Sequence, residues 1–198
     1  MRNMDRPPRR SAEPQVLIVP GLNGSGPGHW QTLWEVAHPD WERVEQRDWT
    51  NPTVEDWVSA LDGTVRSGRR PVILVAHSLG CITVAHWGRS CRSTPVAGAL
   101  LVAPANVERE NRPEGVARFA PIPRSPLPFP SLLVGSENDP HSALPFAREL
   151  AAAWRSRFVN AGRQGHINIA SGHGPWTEGE KLLEEVLAMA SEPVVIHP

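Results

Sequence analysis

The sequence predicts an α/β protein built in three layers, a mostly parallel sheet of about six strands with helices on both faces. Three observations carry this expectation. Short runs rich in Val, Ile and Leu alternate with longer segments whose apolar residues recur at steps of three and four. The strand candidates are apolar throughout, as strands covered on both faces must be. Strands rarely follow one another directly, so most crossovers are helical and right-handed.

The N-terminal stretch "MRNMDRPPRRSAEP" holds four arginines and three prolines but no apolar run. Residues 1–14 therefore read as a flexible tail, neither a signal peptide nor a membrane span, and 15–198 as a single domain. Residues 15–20, "QVLIVP", read as a buried strand that runs into the glycine-rich "GLNGSGPG". A helix over about 29–38 carries Trp30, Leu33, Trp34 and Val36, and a weaker strand lies near 43–47. Thr53 is placed to cap the next helix, with Glu55 and Asp56 at its positive end. Val54, Trp57, Val58, Leu61 and Val65 make its apolar stripe, and Gly68 ends it.

A strand at 71–77, a helix at 79–90, and strands at 96–103 and 131–135 follow. Then come a helix at 143–155, a short strand near 157–161 and a last helix near 177–190. Residues 104–130 break the alternation. Their "PRSPLPFP" holds four prolines, which remove the donors that a helix or inner strand requires, so this is an extended connector. The eight tryptophans read mostly as core: Trp34, Trp57 and Trp154 fit helix stripes.

Composition narrows the function. The net charge of −1 gives no basic field for nucleic acid or an acidic membrane. No stretch approaches the roughly 20 apolar residues that span a bilayer. The two cysteines, Cys81 and Cys91, make no disulfide framework and fit a cytoplasmic protein. There is no H-E-x-x-H, no C-x-x-C and no paired metal-ligand spacing, so no metal or other cofactor is expected.

The chemistry begins at "VAHSLG", where Ser78 sits on the seam between a buried strand and a helix. A nucleophile there must project from a very tight turn, which demands small neighbours; Ala76 and Gly80 meet that demand. A serine at this seam could equally be a helix N-cap. The order of later residues favours the nucleophile. On such scaffolds an acid and then a histidine follow, each in a loop after a strand. Asp139 follows the strand at 131–135 and precedes Pro140, with Glu137 as fallback. His166 follows the next strand, 27 residues after Asp139, with His141 and His173 as rivals. An oxyanion hole would take one N–H from Leu79 and one from the loop after the first strand: Leu22 first, Asn23 second. The same loop is a poor phosphate cradle, since Pro27 stands where a lysine would be needed.

Together, "LIVPG" with its glycine-rich loop, "VAHSLG", "FAPIPRSPLPFPSLLVGSENDP" and "GHIN" resemble the small serine hydrolases of the retinoblastoma-binding protein 9 family, including its bacterial members. The resemblance covers most of residues 15–188. It implies an α/β-hydrolase fold without a large cap domain, and a triad of Ser78, Asp139 and His166. The protein binding that names the family does not carry over, because no Leu-x-Cys-x-Glu motif is present. The resulting expectation is hydrolysis of an ester or thioester of a small acyl group through an acyl-enzyme. The alternatives are a serine amidase or peptidase with the same triad, or a hydrolase-fold protein used mainly for binding. Leu22, Trp30, Phe119 and Trp176 lie in loops expected to rim the pocket. Oligomeric state is left open.

Overall fold

The computed structural model describes residues 13–91 and 95–191. Most of the expected tail, residues 1–12, lies outside the described residues. The chain forms β1 (Gln15–Val19), α1 (Trp30–Ala37), β2 (Glu42–Arg43), α2 (Val54–Ser67), β3 (Val72–His77) and α3 (Leu79–Ser90). It continues through β4 (Val96–Val102), α4 (Glu114–Ala117), β5 (Ser131–Gly135), α5 (Leu144–Trp154), β6 (Arg157–Asn160) and α6 (Thr177–Ser191). Among the described residues the six strands pair in the order β2-β1-β3-β4-β5-β6, all parallel.

Strand side chains alternate between two apolar layers. Leu17, Val19, Leu74, Ala76, Leu101 and Leu133 face α2, α3 and α5, packing against Trp57, Leu61, Ile82, Leu150 and Trp154. Ile18, Ile73, Val75, Leu100, Val102 and Val134 face α1 and α6, packing against Trp30, Trp34, Leu183 and Val186. Each such fully buried Val, Leu or Ile side chain contributes about 1.5–3 kcal/mol through removal from water. Covering both faces explains why the strands read as unbroken apolar runs. Among the described residues no helix is long and apolar enough to cross a membrane.

Among the secondary-structure elements, the sequence reading and the structure differ at β2 and within the connector. The strand near 43–47 pairs with β1 only over Glu42–Arg43, at the sheet edge. The Arg43 side chain is spent on Glu35 and on the Gly24 carbonyl, and the chain then leaves the sheet. The connector at 104–130 also contains a helix, the four-residue α4, which starts just after Pro113. Proline is tolerated at a helix start because the first N–H groups have no partner there in any case.

The order of strands positions the site. After β1 the chain runs outward to β2, then returns across to β3 on the other side of β1. The loops after β1 and β3 therefore part at a topological switch point, where a crevice opens at the carboxyl ends of the strands. The helix start at α3 is wedged there against β1. A β-carbon on Gly80 would stand 2.3 Å from the Val19 carbonyl oxygen and 2.7 Å from that of Pro20. Because both obstacles are backbone, Gly80→Ala forces β1 and α3 apart. The expected cost is about 2 kcal/mol or more, read as a lowered thermal midpoint, while Gly63→Ala, with open space at its β-carbon, holds its midpoint or gains.

Candidate active site

Ser78 occupies the turn between β3 and α3 with φ 54° and ψ −118°, a conformation that L-residues rarely adopt. Its hydroxyl makes no capping bond to α3. It lies instead 2.9 Å from His166 Nε2. On the far side of that ring, Nδ1 lies 2.8 Å from Asp139 Oδ2 and 3.0 Å from Oδ1. Three residues 88 and 27 positions apart in sequence thus meet in a hydrogen-bonded row. The hydroxyl opens into a cleft of about 260 Å³ at the carboxyl ends of the strands.

Each member is held by its own loop. Ser78 N donates to Val102 O of β4 at 3.0 Å, fixing the turn to the sheet. Asp139 Oδ1 also accepts from the His141 backbone N–H at 2.8 Å. The loop carrying His166 is tied to the loop carrying Asp139: Gln164 N donates to Ser136 Oγ at 3.0 Å and Gly165 N to Asn138 Oδ1 at 2.8 Å. Beneath it, Trp30 Nε1 donates to the Ile167 carbonyl at 2.9 Å and His77 Nε2 to the His166 carbonyl at 2.9 Å.

The loop after β1 lies directly on the turn. A β-carbon on Gly21 would come within 2.8 Å of Ser78 Cβ and 3.4 Å of Leu79 N. Leu22 and Leu79 each begin a helical turn, so their N–H groups are outside the intrahelical ladder, and both residues line the cleft with Ser78. Asn23, the second choice as donor, is committed: its N–H bonds the Trp49 carbonyl at 2.9 Å.

Two of the three rivals stand elsewhere. Glu137 is exposed and accepts from Asn160 Nδ2 at 3.0 Å. His173 packs against Trp176 and lies 3.3 Å from Ser171 Oγ. His141 does line the cleft, with its ring edge-on to His166 at 4.6 Å between centroids. Cys81, one turn past Ser78, is fully buried, and burial pushes its thiol up. Three of the residues expected on the rim are not there. Trp30, Phe119 and Trp176 are buried in the two apolar layers, because rings of that size are better removed from water than left at a loop. Leu22, Leu79, Ala105 and Val116 supply the apolar lining instead.

Residues 16–185 match the family model of the serine hydrolases. The chain belongs to that family. In structure this serine hydrolase is similar to a protein described as a YdeN-like hydrolase from Pectobacterium atrosepticum, at 37% identity and a TM-score of 0.81, over 90% of this chain and 92% of that one. It is also similar to the ydeN gene product of B. subtilis, at 18% identity and a TM-score of 0.72, over 88% and 99% of the two chains. A thermophilic esterase from Thermogutta terrifontis aligns at 18% identity and a TM-score of 0.65, over 90% and 91%. Those two likenesses are of fold. Comparison with curated proteins gives no match.

Several residues that support the site of this serine hydrolase went unread in the sequence. Gln31 is fully buried, donates to Val75 O at 3.0 Å and accepts from Ser25 Oγ at 2.6 Å, pinning the glycine-rich loop to the sheet. Arg43 braces the same loop through the Gly24 carbonyl. His29 caps α1, its Nδ1 accepting from Gln31 N at 3.2 Å, and its buried Nε2 has no partner among the described residues. A Gln at the second position of a helix carries no such signal. The histidine before Ser78 was visible, but its bond to a carbonyl 89 positions away was not.

Burial pushes His29 down to about 4, with Arg43 and the neighbouring His166 adding to the effect. Burial likewise holds His77 well below its ordinary range, reinforced by His166 and His29. Both rings take up a proton near pH 6.5 in the unfolded chain and resist it when folded. The unfolded state therefore binds more protons below that pH, and stability falls as pH drops from about 6.5 toward 4, by on the order of 3 kcal/mol for His29 alone. Urea unfolding midpoints across that window should fall steadily, and His29→Asn should flatten the slope.

Proposed function

We propose that this serine hydrolase cleaves an ester or thioester of a small acyl group, with Ser78 as nucleophile, His166 as general base and acid, and Asp139 orienting the imidazole. The observation that carries the reading is the row of short contacts, 2.9 Å and 2.8 Å, that ends on a hydroxyl not used as a helix cap. His166 Nδ1–H donates to the Asp139 carboxylate, which fixes Nε2 as the acceptor for the Ser78 proton. The deprotonating hydroxyl attacks the acyl carbon, and the imidazolium formed then gives its proton to the leaving oxygen or sulfur. Water, activated by His166 in turn, releases the acid and restores Ser78.

The oxyanion of each tetrahedral intermediate is assigned to the N–H groups of Leu79 and Leu22. Support comes from the position of both at the first residue of a helical turn and from the engagement of the Asn23 N–H elsewhere. The dipole of α3 adds to this stabilisation, since its positive end faces the seam that holds Ser78. A modest cleft with Leu22, Ala105 and Val116 on its wall favours a short acyl chain. The finer kinship with the retinoblastoma-binding protein 9 group rests on the motifs "VAHSLG", "NDP" and "GHIN".

Hydrolysis of p-nitrophenyl butyrate and of a butyryl thioester tests the assignment. Ser78→Ala and His166→Ala should lower kcat by about 10⁴-fold or more with KM little changed, and Asp139→Asn by about 10⁴-fold through the wrong tautomer. Each variant should keep its circular dichroism spectrum. Full turnover by Ser78→Ala would refute the nucleophile. Comparable rates on a matched amide would move the reading to an amidase.

A further inference from the structure

The cleft around Ser78 has an uneven charge. No carboxylate lines it, and Arg109 is its single permanent cation among the described residues. Arg109 is half-buried on the connector after β4. Its guanidinium donates from Nη2 to His141 Nδ1 at 3.2 Å, and arginine can only donate, so that imidazole nitrogen is the acceptor.

Five of the other described arginines are neutralised; the rest, like Arg109, show no carboxylate partner, but none of them lines the cleft. Arg43 meets Glu35, Arg66 meets Asp62, Arg118 meets Glu114, Arg124 meets Glu108 and Glu149, and Arg157 meets Glu185. Arg109 has no ion pair of this kind among the described residues. The acids nearest in sequence or along its contacts are committed or turned out. Glu108 is bound by Arg124, Glu110 is exposed, and Asp139 serves His166 and the His141 backbone. A guanidinium on a cleft wall with no carboxylate partner is free to make charge-assisted, bidentate bonds to a ligand that brings an anion. A cleft lined by one sign of charge also gathers ligands of the other sign.

The position suits recognition of a substrate. From the guanidinium, contacts lead through the His141 ring to His166 and on to Ser78 Oγ. We infer that the cleft takes esters bearing a carboxylate beyond the scissile bond, and that Arg109 is the residue that selects them. This inference rests on hydrolysis at Ser78 and adds the substrate class. The carboxylate can belong to the acyl part or to the leaving group, and both place an anion within the same cleft.

Matched ester pairs test it with the full chain. Monomethyl glutarate against methyl pentanoate puts the acid on the acyl side, and butyryloxyacetate against ethyl butyrate puts it on the leaving-group side. In one pair, kcat/KM for the acidic ester should exceed that for its neutral partner by about tenfold or more, a difference of about 1.4 kcal/mol. Arg109→Gln should bring that ratio to within about twofold of one, Arg109→Lys should restore part of it, and added salt should erode it in the unmodified protein. A general defect in folding lowers both esters together and leaves the ratio standing. The inference is overturned if neither acidic ester is preferred, or if the preference survives Arg109→Gln. Cleavage of the neutral esters by Ser78→Ala would instead overturn the nucleophile assignment, so the two failures are distinguishable.

Discussion

The site depends on how tightly the turn between β3 and α3 is packed against the loop after β1. Gly80 leaves no room for a β-carbon beside the Val19 and Pro20 carbonyls, and Gly21 leaves none beside Ser78 Cβ. Held between them, Ser78 takes a backbone conformation that costs of order 1–3 kcal/mol for a residue with a side chain. The strain has a geometric result. The hydroxyl cannot fold back to cap α3 and points toward His166, while the first free N–H of the helix stays beside it. The surrounding sheet supplies the stability that holds the turn in place, through strands buried on both faces.

The same packing explains why two flexible-looking loops are held still. The loops bearing Asp139 and His166 are cross-linked by Ser136 and Asn138, and the carbonyls of His166 and Ile167 are held from below by His77 and Trp30. The bonds from Trp30 and His77 are buried, where a lost partner costs more than the bond is worth in water. They also fill the space around the imidazole with rings that burial keeps uncharged, His29 and His77 above all. Neutral neighbours leave His166 facing Asp139, its one paired carboxylate among the described residues.

Much of this was legible in the sequence because it is local. Unbroken apolar runs such as "VILVA" need cover on both faces, and steps of three and four in "VEDWVSAL" give a helix that Thr53 does cap, through Asp56 N. The order of Ser78, Asp139 and His166 could be read because each stands just after a strand. What escaped is long-range or conditional. Glu42–Arg43 is a strand only because β1 lies beside it, and α4 is hidden among prolines. Trp30, Phe119 and Trp176 looked like a rim because loops are usually exposed, yet each ring is drawn into the core. The bridges made by Gln31 and His77 join strands and loops that no spacing along the chain brings together.

Membership of the serine hydrolase family fixes the class of enzyme, and the cleft gives that class its local character: a polar, one-signed rim over a short apolar wall. The account stands on Ser78 being the activated hydroxyl. Reaction with a fluorophosphonate at neutral pH, followed by digestion and mass mapping of the adduct, tests this most directly. One adduct per chain, on the peptide containing Ser78 and lost on denaturation before labelling, is the predicted result. An adduct on another serine, or a folded protein that takes up no label, would contradict it.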